Sequence, residues 1–272
     1  MGKIDGCARR LAHVRIATWN VNSVGARIER VVEWLESAQP DVVALQELKC
    51  TDEAFPHMPI QAAGYEALTH GTGRWNGVAI LTRVGATDVV RGLVGQPDFE
   101  GAAEPRAIGA TCGGVRVWSL YCPNGREPGH DHYNYKLEWF KALNATVQSE
   151  LVAYPDLPFA AIGDYNIAPT DADVWDISKF VDSTHVTAAE RAALTDLSGL
   201  GLSEVMPRSL KGEPYTFWDY RNGSFHRGWG MRIDLVYANP AFIARVSDAY
   251  VDREARKGKG ASDHAPVVVD LS

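Results

Sequence analysis

Val14-Arg15-Ile16-Ala17-Thr18-Trp19, with Asn20 next, reads as a strand in which Val14, Ile16 and Thr18 share one face. From residue 24 to about residue 38 the apolar positions Ile28, Val31, Val32 and Leu35 recur at helical spacing, and Pro40 marks the end. Asp41-Val42-Val43-Ala44-Leu45-Gln46 then forms a short apolar run, a buried strand that delivers Glu47 at its C-terminal end. The same pattern, an apolar strand closing on a polar residue and followed by a loop or helix, repeats along the chain. Further strands are expected over residues 77–82, 115–121, 157–163, 215–220, 232–238, 246–251 and 265–271. A second long helix near residues 133–153 carries Leu137, Phe140, Leu143, Val147 and Leu151, and Thr187-Ala188-Ala189-Glu190 is a capping box that opens a third. Helices interleaved with many short strands predict a layered α/β domain, two sheets packed face to face with helices outside.

The 272 residues suffice for a sizeable core, and no Gly-, Pro- or Ser-rich linker divides them. No apolar run approaches the roughly 18 residues needed to span a bilayer, so no membrane partner is expected. The first 14 residues carry basic side chains without an apolar h-region, which argues against a secretory signal. Cys7, Cys50, Cys112 and Cys122 lack paired metal spacing and read as reduced thiols of a cytoplasmic protein. The net charge of −7 argues at first against a nucleic-acid partner. A groove needs only a local basic stripe, however, and a centre that gathers carboxylates around a cation looks acidic before the cation is counted.

The polar residues at strand ends carry the chemistry. Asn20 and Asn22, Glu47, Tyr121 and Asn124, Asp164 and Asn166, Asp234, and Asp263 with His264 each sit at or just past an apolar run. Singly, each has a plain reading: Asn20, Asn22 and Gly163-Asp164-Tyr165-Asn166 as turns, Tyr121 as core, Asp263 as a loop cap, His264 as a structural histidine. Converging on one rim, they would form a cleft of hard oxygen ligands suited to Mg²⁺ rather than zinc.

The runs Trp19-Asn20-Val21-Asn22-Ser23, Leu45-Gln46-Glu47-Leu48-Lys49, Tyr121-Cys122-Pro123-Asn124-Gly125, Gly163-Asp164-Tyr165-Asn166-Ile167-Ala168-Pro169, Tyr215-Thr216-Phe217-Trp218-Asp219-Tyr220-Arg221, Arg232-Ile233-Asp234 and Ser262-Asp263-His264-Ala265-Pro266-Val267 follow one another across nearly the whole chain. In that order they resemble the motif series of exonuclease III-type abasic-site endonucleases of the endonuclease/exonuclease/phosphatase superfamily. The resemblance implies a single catalytic domain over residues 1–272, a four-layer α/β sandwich of two packed mixed β-sheets flanked by helices. It implies a monomeric base excision repair nuclease that hydrolyses the phosphodiester 5′ to abasic sites in double-stranded DNA. Exonuclease action from 3′ to 5′ and trimming of blocked 3′ ends accompany this, with Mg²⁺, replaceable by Mn²⁺, as cofactor.

Carried over residue by residue, the resemblance implies that Glu47 binds the metal, with Asp263 near it or at a second position and Asn22 in support. Asp164 positions or deprotonates the attacking water and Asn166 orients it. His264, paired with Asp234, contacts the scissile phosphate, while Asn20, Tyr121 and Asn124 hold its oxygens. Phe217 with Trp229 or Met231 is expected to wall an apolar pocket for a flipped-out sugar, with Arg221, Arg227 and Arg232 beside it for phosphates. Tyr165 departs from the smaller residue common in its motif and is read as a packing variation. The chemistry is sound independently: cleavage piles charge on the phosphoryl and leaving oxygens, which a divalent cation and preorganised donors stabilise. A phosphoesterase of another branch, acting on an inositol phosphate or lipid headgroup, would share Glu47, Asp164, Asn166, Asp263 and His264, but would not be expected to carry residues 217–221 before Arg232-Ile233-Asp234. A nucleic-acid-binding protein on an inactive nuclease fold would have lost metal or base residues, and here every such position is filled.

Overall fold

The computed structural model describes residues 13–272; Cys7 and residues 1–12 of the segment read for a targeting signal lie outside them. The strands are β1 Val14–Asn20, β2 Val42–Gln46, β3 Glu66–His70, β4 Val78–Thr82, β5 Ala86–Arg91, β6 Ala107–Cys112, β7 Val115–Tyr121 and β8 Phe159–Asp164, then β9 Ser203–Glu204, β10 Arg208–Ser209, β11 Asp234–Ala238, β12 Val246–Val251 and β13 Val267–Leu271. The helices used below are α1 Val24–Ala38, α2 His57–Ala62, α3 Asp131–Ala153 and α4 Ala188–Gly199. One sheet has seven strands in the order β10-β12-β13-β1-β2-β4-β3, the other six in the order β5-β6-β7-β8-β11-β9. Both are mixed: β1 runs parallel to β2 and antiparallel to β13, and β8 parallel to β7 and antiparallel to β11.

Side-chain alternation explains the layering. Ile16, Val42, Ala44 and Ile80 of the first sheet meet Ile108, Val117, Ile162 and Val236 of the second in one core. Their strand neighbours Ala17, Trp19, Val43 and Leu45 point outward, under Val31, Trp34 and Leu35 of α1. On the far side Trp139, Phe140 and Leu143 of α3 and Leu194 and Leu197 of α4 cover Leu120, Phe159 and Tyr237. Strands buried on both faces read as near-continuous apolar runs, which is why the β2 segment is so uniformly hydrophobic. Four layers result, as expected. Thr187 and Glu190 form the predicted capping box at the start of α4.

Towards one end the inter-sheet core turns polar. Thr18 bonds Gln46, and Gln46 Nε2 donates to Ser119 Oγ at 3.1 Å across the two sheets. One or two residues further along lie Asn20, Glu47 and Tyr121, with Asp164 paired to Tyr121 at the end of β8. The sandwich therefore opens at the rim where the strand-end residues collect.

The expected strand over residues 215–220 does not form; Phe217 makes only isolated bridges, to Met231 and to His264. Thr216 Oγ1 accepts the backbone N–H groups of both Ile233 and Asp234, at 3.1 Å each, donors that a ladder would otherwise use. The strand expected from residue 232 consequently starts at Asp234.

Gly163 shows how tightly the rim is drawn. It pairs with Leu120 in the parallel β7–β8 register, and a Cβ there would lie 1.9 Å from the Leu120 carbonyl oxygen. Gly163→Ala is expected to cost about 3 kcal/mol, at the upper end for overpacking, because the clash is with backbone. A denaturant midpoint unchanged from wild type would contradict that.

Candidate active site

Asn20 ends β1 fully buried and its amide joins two strands. Nδ2 donates to Glu47 Oε1 at 2.8 Å and to Asp164 Oδ2 at 2.9 Å, and Oδ1 accepts the Asn22 N–H at 2.9 Å. Asn22, Glu47, Lys49 and Asn166 all have left-handed backbone, with φ of 44, 55, 55 and 52°. Such conformations are uncommon in residues with a Cβ and cluster where side chains must be aimed.

Glu47 pairs with Lys49 Nζ at 2.9 Å, and Lys49 also donates to Asn22 Oδ1 at 2.5 Å. Burial alone would raise the Glu47 carboxyl; the Lys49 charge and the Asn20 amide outweigh it and hold the group below its ordinary value. Asp164 is pushed up from 3.8 to about 7, by burial first and then by Asp234 and Glu47, while His264 acts in the opposite sense. Its Oδ1 accepts the Asn166 N–H at 2.9 Å. Asn166 in turn donates to the Cys122 carbonyl at 2.9 Å and accepts from the exposed Asn124 at 3.2 Å.

His264 is buried with Nδ1 2.8 Å from Asp234 Oδ2 and Nε2 3.9 Å from Asp164 Oδ2. Burial would lower its pKa, but Asp234 above all, then Asp164 and Asp263, raise it from 6.5 to about 10. These carboxylates favour the protonated ring, with Nε2 on the Asp164 side. Tyr121 is buried against the Arg106 guanidinium, 4.7 Å above its ring, and burial raises the phenol so that it stays a donor.

Both Asp164 and His264 have folded pKa values above their unfolded ones. Each contributes stability that is complete below the unfolded value and lost as pH rises through the folded value. With divalent cations chelated, the melting temperature is expected to fall between about pH 6.5 and about pH 10, the His264 window. His264→Gln should flatten that fall. A wild-type profile that rises over this range would contradict the assignment.

Glu47, Asp164 and His264 present ligand atoms within 4.8 Å of one another. His264 is already engaged by Asp234 at Nδ1, and the carboxylate oxygens of Glu47 and Asp164 are donors that suit a hard ion. Asp263 stands outside this group, its Oδ1 bonded by Asn22 Nδ2 at 3.0 Å.

A cavity of about 450 Å³ adjoins the cleft and is lined by Trp175, Phe180, Phe217, Asp219, Arg221, Asn222, Ser224, Trp229 and Met231. Phe217 joins the two, its ring 4.9 Å from that of His264. Trp218 goes to the core instead. Trp229 and Met231 both face the cavity, where only one was required. Trp175 stacks on Trp229 at 4.8 Å, a wall residue the sequence did not signal.

Arg232 corrects the sequence reading. It is 1% exposed and paired with Asp173 at 2.7 Å and with Glu204, so it cannot meet a phosphate. Arg221 remains exposed, held by Asp219 at 2.6 Å. Arg227 lies over the Trp229 ring at 4.5 Å. Tyr165 packs in the core between Phe140 and Tyr237. His185 was not anticipated: its Nδ1 is 2.5 Å from the Asn166 carbonyl and its Nε2 3.5 Å from Asn124 Nδ2.

Two packed mixed sheets whose shared rim gathers carboxylates, amides and an imidazolium define a phosphoesterase-type α/β sandwich. The model of the Endonuclease/Exonuclease/phosphatase family matches residues 17–264, and the chain belongs to that family. Exodeoxyribonuclease III of Haemophilus influenzae is 27% identical over 267 residues, covering 93% of this chain and 98% of that protein. Among solved structures, the 3′ phosphatase NExo from Neisseria, bound to a product DNA hairpin, is 37% identical with a TM-score of 0.89, covering 95% of this chain and 99% of that one. An AP endonuclease from Archaeoglobus fulgidus is 33% identical with a TM-score of 0.87 and the same coverage. Among the described residues no helix is long and apolar enough to cross a membrane.

Proposed function

We infer that this chain is a metal-dependent DNA repair nuclease that hydrolyses the phosphodiester 5′ to abasic sites and also processes 3′ ends, acting as a cytoplasmic monomer on double-stranded DNA. The observation that carries the reading is the meeting of Glu47, Asp164 and the His264–Asp234 pair within one cleft. His264 Nε2–H donates to a non-bridging phosphate oxygen, and Asp234 fixes the ring's orientation and charge. Asp164, ionised above about pH 7, accepts the proton of an attacking water that Asn166 helps to orient. Asn124 and Tyr121 donate to the phosphate from the opposite wall, and Asn20 holds Glu47 and Asp164 in register. Glu47, with Asn22 and Asp263 close by, would hold Mg²⁺, or Mn²⁺ in its place, which would supply neutralisation of the negative charge that builds up on cleavage. The residues need no covalent nucleophile.

Lesion choice is assigned to the aromatic cavity beside His264. With no base edge to read, a flipped-out sugar is recognised by an apolar wall. Alanine at Phe217, Trp229 and Met231 together is expected to reduce the ratio of abasic to intact-duplex cleavage about tenfold or more, an apolar-contact loss of roughly 1–3 kcal/mol. Turnover of a simple phosphodiester should persist. An unchanged ratio in folded protein would move the pocket elsewhere.

A second reading, in which 3′-end processing is the main activity, is favoured by the 37% identity to structures described as a 3′ phosphatase and a 3′–5′ exonuclease. Product analysis on end-labelled duplexes with one internal abasic site, one 3′-phosphate or an intact recessed end separates the two. Internal incision as the fastest reaction supports the first, and release from the 3′ end alone the second. No metal-stimulated reaction with any of the three would overturn both.

A further inference from the structure

Among the described residues four arginines are buried: Arg106, Arg116, Arg232 and Arg256. The first three each meet a carboxylate, at 2.6, 2.6 and 2.7 Å. Arg256, at 8% exposure, has no carboxylate within ion-pair distance among the described residues. Its Nε has no hydrogen-bond partner, and one terminal nitrogen donates to the Trp218 carbonyl at 3.2 Å. Its guanidinium lies 5.1 Å from the Tyr220 ring centre and 5.0 Å from that of Phe225. Burial holds the guanidinium below its ordinary value, outweighing Asp263, which favours its charge from beyond ion-pair distance, so the cation is under-compensated as the chain folds alone.

Two more arginines, without a carboxylate partner among the described residues, surround the same aromatic residues. Arg253 sits 4.3 Å over Phe225 and 5.4 Å over Trp218. Arg27 donates to Tyr220 Oη at 2.9 Å and to the Asn22 carbonyl, and its own Nε is buried without a partner. In a chain of net charge −7, three arginines thus gather at one place, with Asp263 as the nearby anion that acts on Arg256.

Beside Arg256 opens a cavity of about 460 Å³, walled by Tyr220, Ser224, His226 and Lys257 among others. Of the acidic groups nearby, Asp219 is held by Arg221 and Glu254 pairs with Lys257 at 2.6 Å, while Asp263, which accepts from Asn22, favours the Arg256 charge without forming an ion pair with it. The cavity shares Asp219 and Ser224 with the aromatic pocket next to His264, so one strand can lie across both.

We propose that the cleft between residues 219–226 and 253–258 binds one backbone phosphate of the DNA, with Arg256 as its central cation. The proposal rests on the nuclease reading above and names a subsite of it. A planar guanidinium already fixed by stacking, with Nε buried and one terminal nitrogen on the Trp218 carbonyl, has its second terminal nitrogen left for a phosphate oxygen, at little further entropic cost.

The test measures binding of a fluorescein-labelled duplex with a single tetrahydrofuran abasic analogue, to the full chain in EDTA, by anisotropy across a salt series. Arg256→Gln is expected to weaken binding about tenfold near 0.1 M salt and to reduce the slope of log K against log salt by about one, the signature of one lost phosphate contact. Arg256→Lys should recover the slope. In a scan with single methylphosphonate linkages, one position should weaken wild type and leave Arg256→Gln unaffected. Should Arg256→Gln fail to fold, His226→Glu places a carboxylate at the exposed mouth of the cavity and is expected to weaken binding in the same way. Unchanged affinity and slope in a folded variant would overturn the proposal, as would weaker binding with the wild-type slope, which marks a purely structural arginine. Wild type that binds and cuts DNA while the variants match it fails this proposal alone; wild type that binds no duplex fails the nuclease reading too.

Discussion

Asp164→Asn is expected to lower kcat on abasic duplex by about 10³-fold, within the range for loss of a positioned general base, while affinity for the duplex stays within a few-fold. The hydrogen bonds to Asp164 explain both halves. Its oxygens accept from Asn20 Nδ2 and from the Asn166 N–H, at 2.9 Å each, and His264 Nε2 stands 3.9 Å away. An asparagine can satisfy the Asn166 N–H, but its amide nitrogen then faces two donors and offers water no basic site. The change should not harm the fold. Burial is what raises the Asp164 carboxyl to about 7, so an uncharged isostere relieves a cost that the ionised wild type bears at pH 8. The two donors facing the new amide nitrogen oppose that gain, so thermal stability in EDTA at pH 8 is expected to change little as activity collapses. A variant that binds poorly but turns over normally once saturated would show that Asp164 serves binding instead.

The part of this site that lies on regular strands was legible, and the physical reason is period. β1, β2, β7 and β8 are short apolar runs with Asn20, Glu47, Tyr121 and Asp164 at or just past their ends, and Asp234 opens β11, antiparallel to β8, so these residues could be read from the sequence as candidates for one rim. Segments without period were not legible. Trp175 and Phe180 sit in an irregular stretch between polar residues, and nothing in their spacing said that Trp175 would stack on Trp229. The strand expected over residues 215–220 looked regular because its residue types suit strands, but Thr216 spends its hydroxyl on two backbone donors that pairing would need. Arg232 beside an aromatic run resembled a phosphate ligand. Its true partners, Asp173 and Glu204, lie 59 and 28 residues away in sequence, beyond the reach of any local pattern. His185 was missed for the same reason: it reaches the Asn166 carbonyl from a turn before α4 that carries no motif.

Removal of divalent cations is expected to abolish incision, and Glu47→Gln to reproduce most of that loss at ordinary metal concentrations. The charge balance of the cleft is the argument. Glu47, Asp164, Asp234 and Asp263 bring four carboxylates to one rim, against the cations Lys49 and His264. A divalent cation closes that imbalance where oxygen donors are already aimed, and the approaching phosphodiester adds a further negative charge that only a cation offsets. Glutamine keeps an oxygen for the Asn20 amide but carries no charge, and it leaves Lys49 without its 2.9 Å partner. The apparent Mg²⁺ requirement, read from activity titrations, is expected to rise by roughly 10–100-fold and kcat to fall on the order of 10²-fold at subsaturating metal. High Mg²⁺ should recover part of the rate, because Asp164 and His264 are untouched, and this recovery separates a metal ligand from a base. Melting temperature in EDTA should change little. Full incision by wild type in the presence of EDTA would sink the hard-metal assignment, and a Glu47→Gln loss that no concentration of Mg²⁺ relieves would place Glu47 in the proton transfer instead.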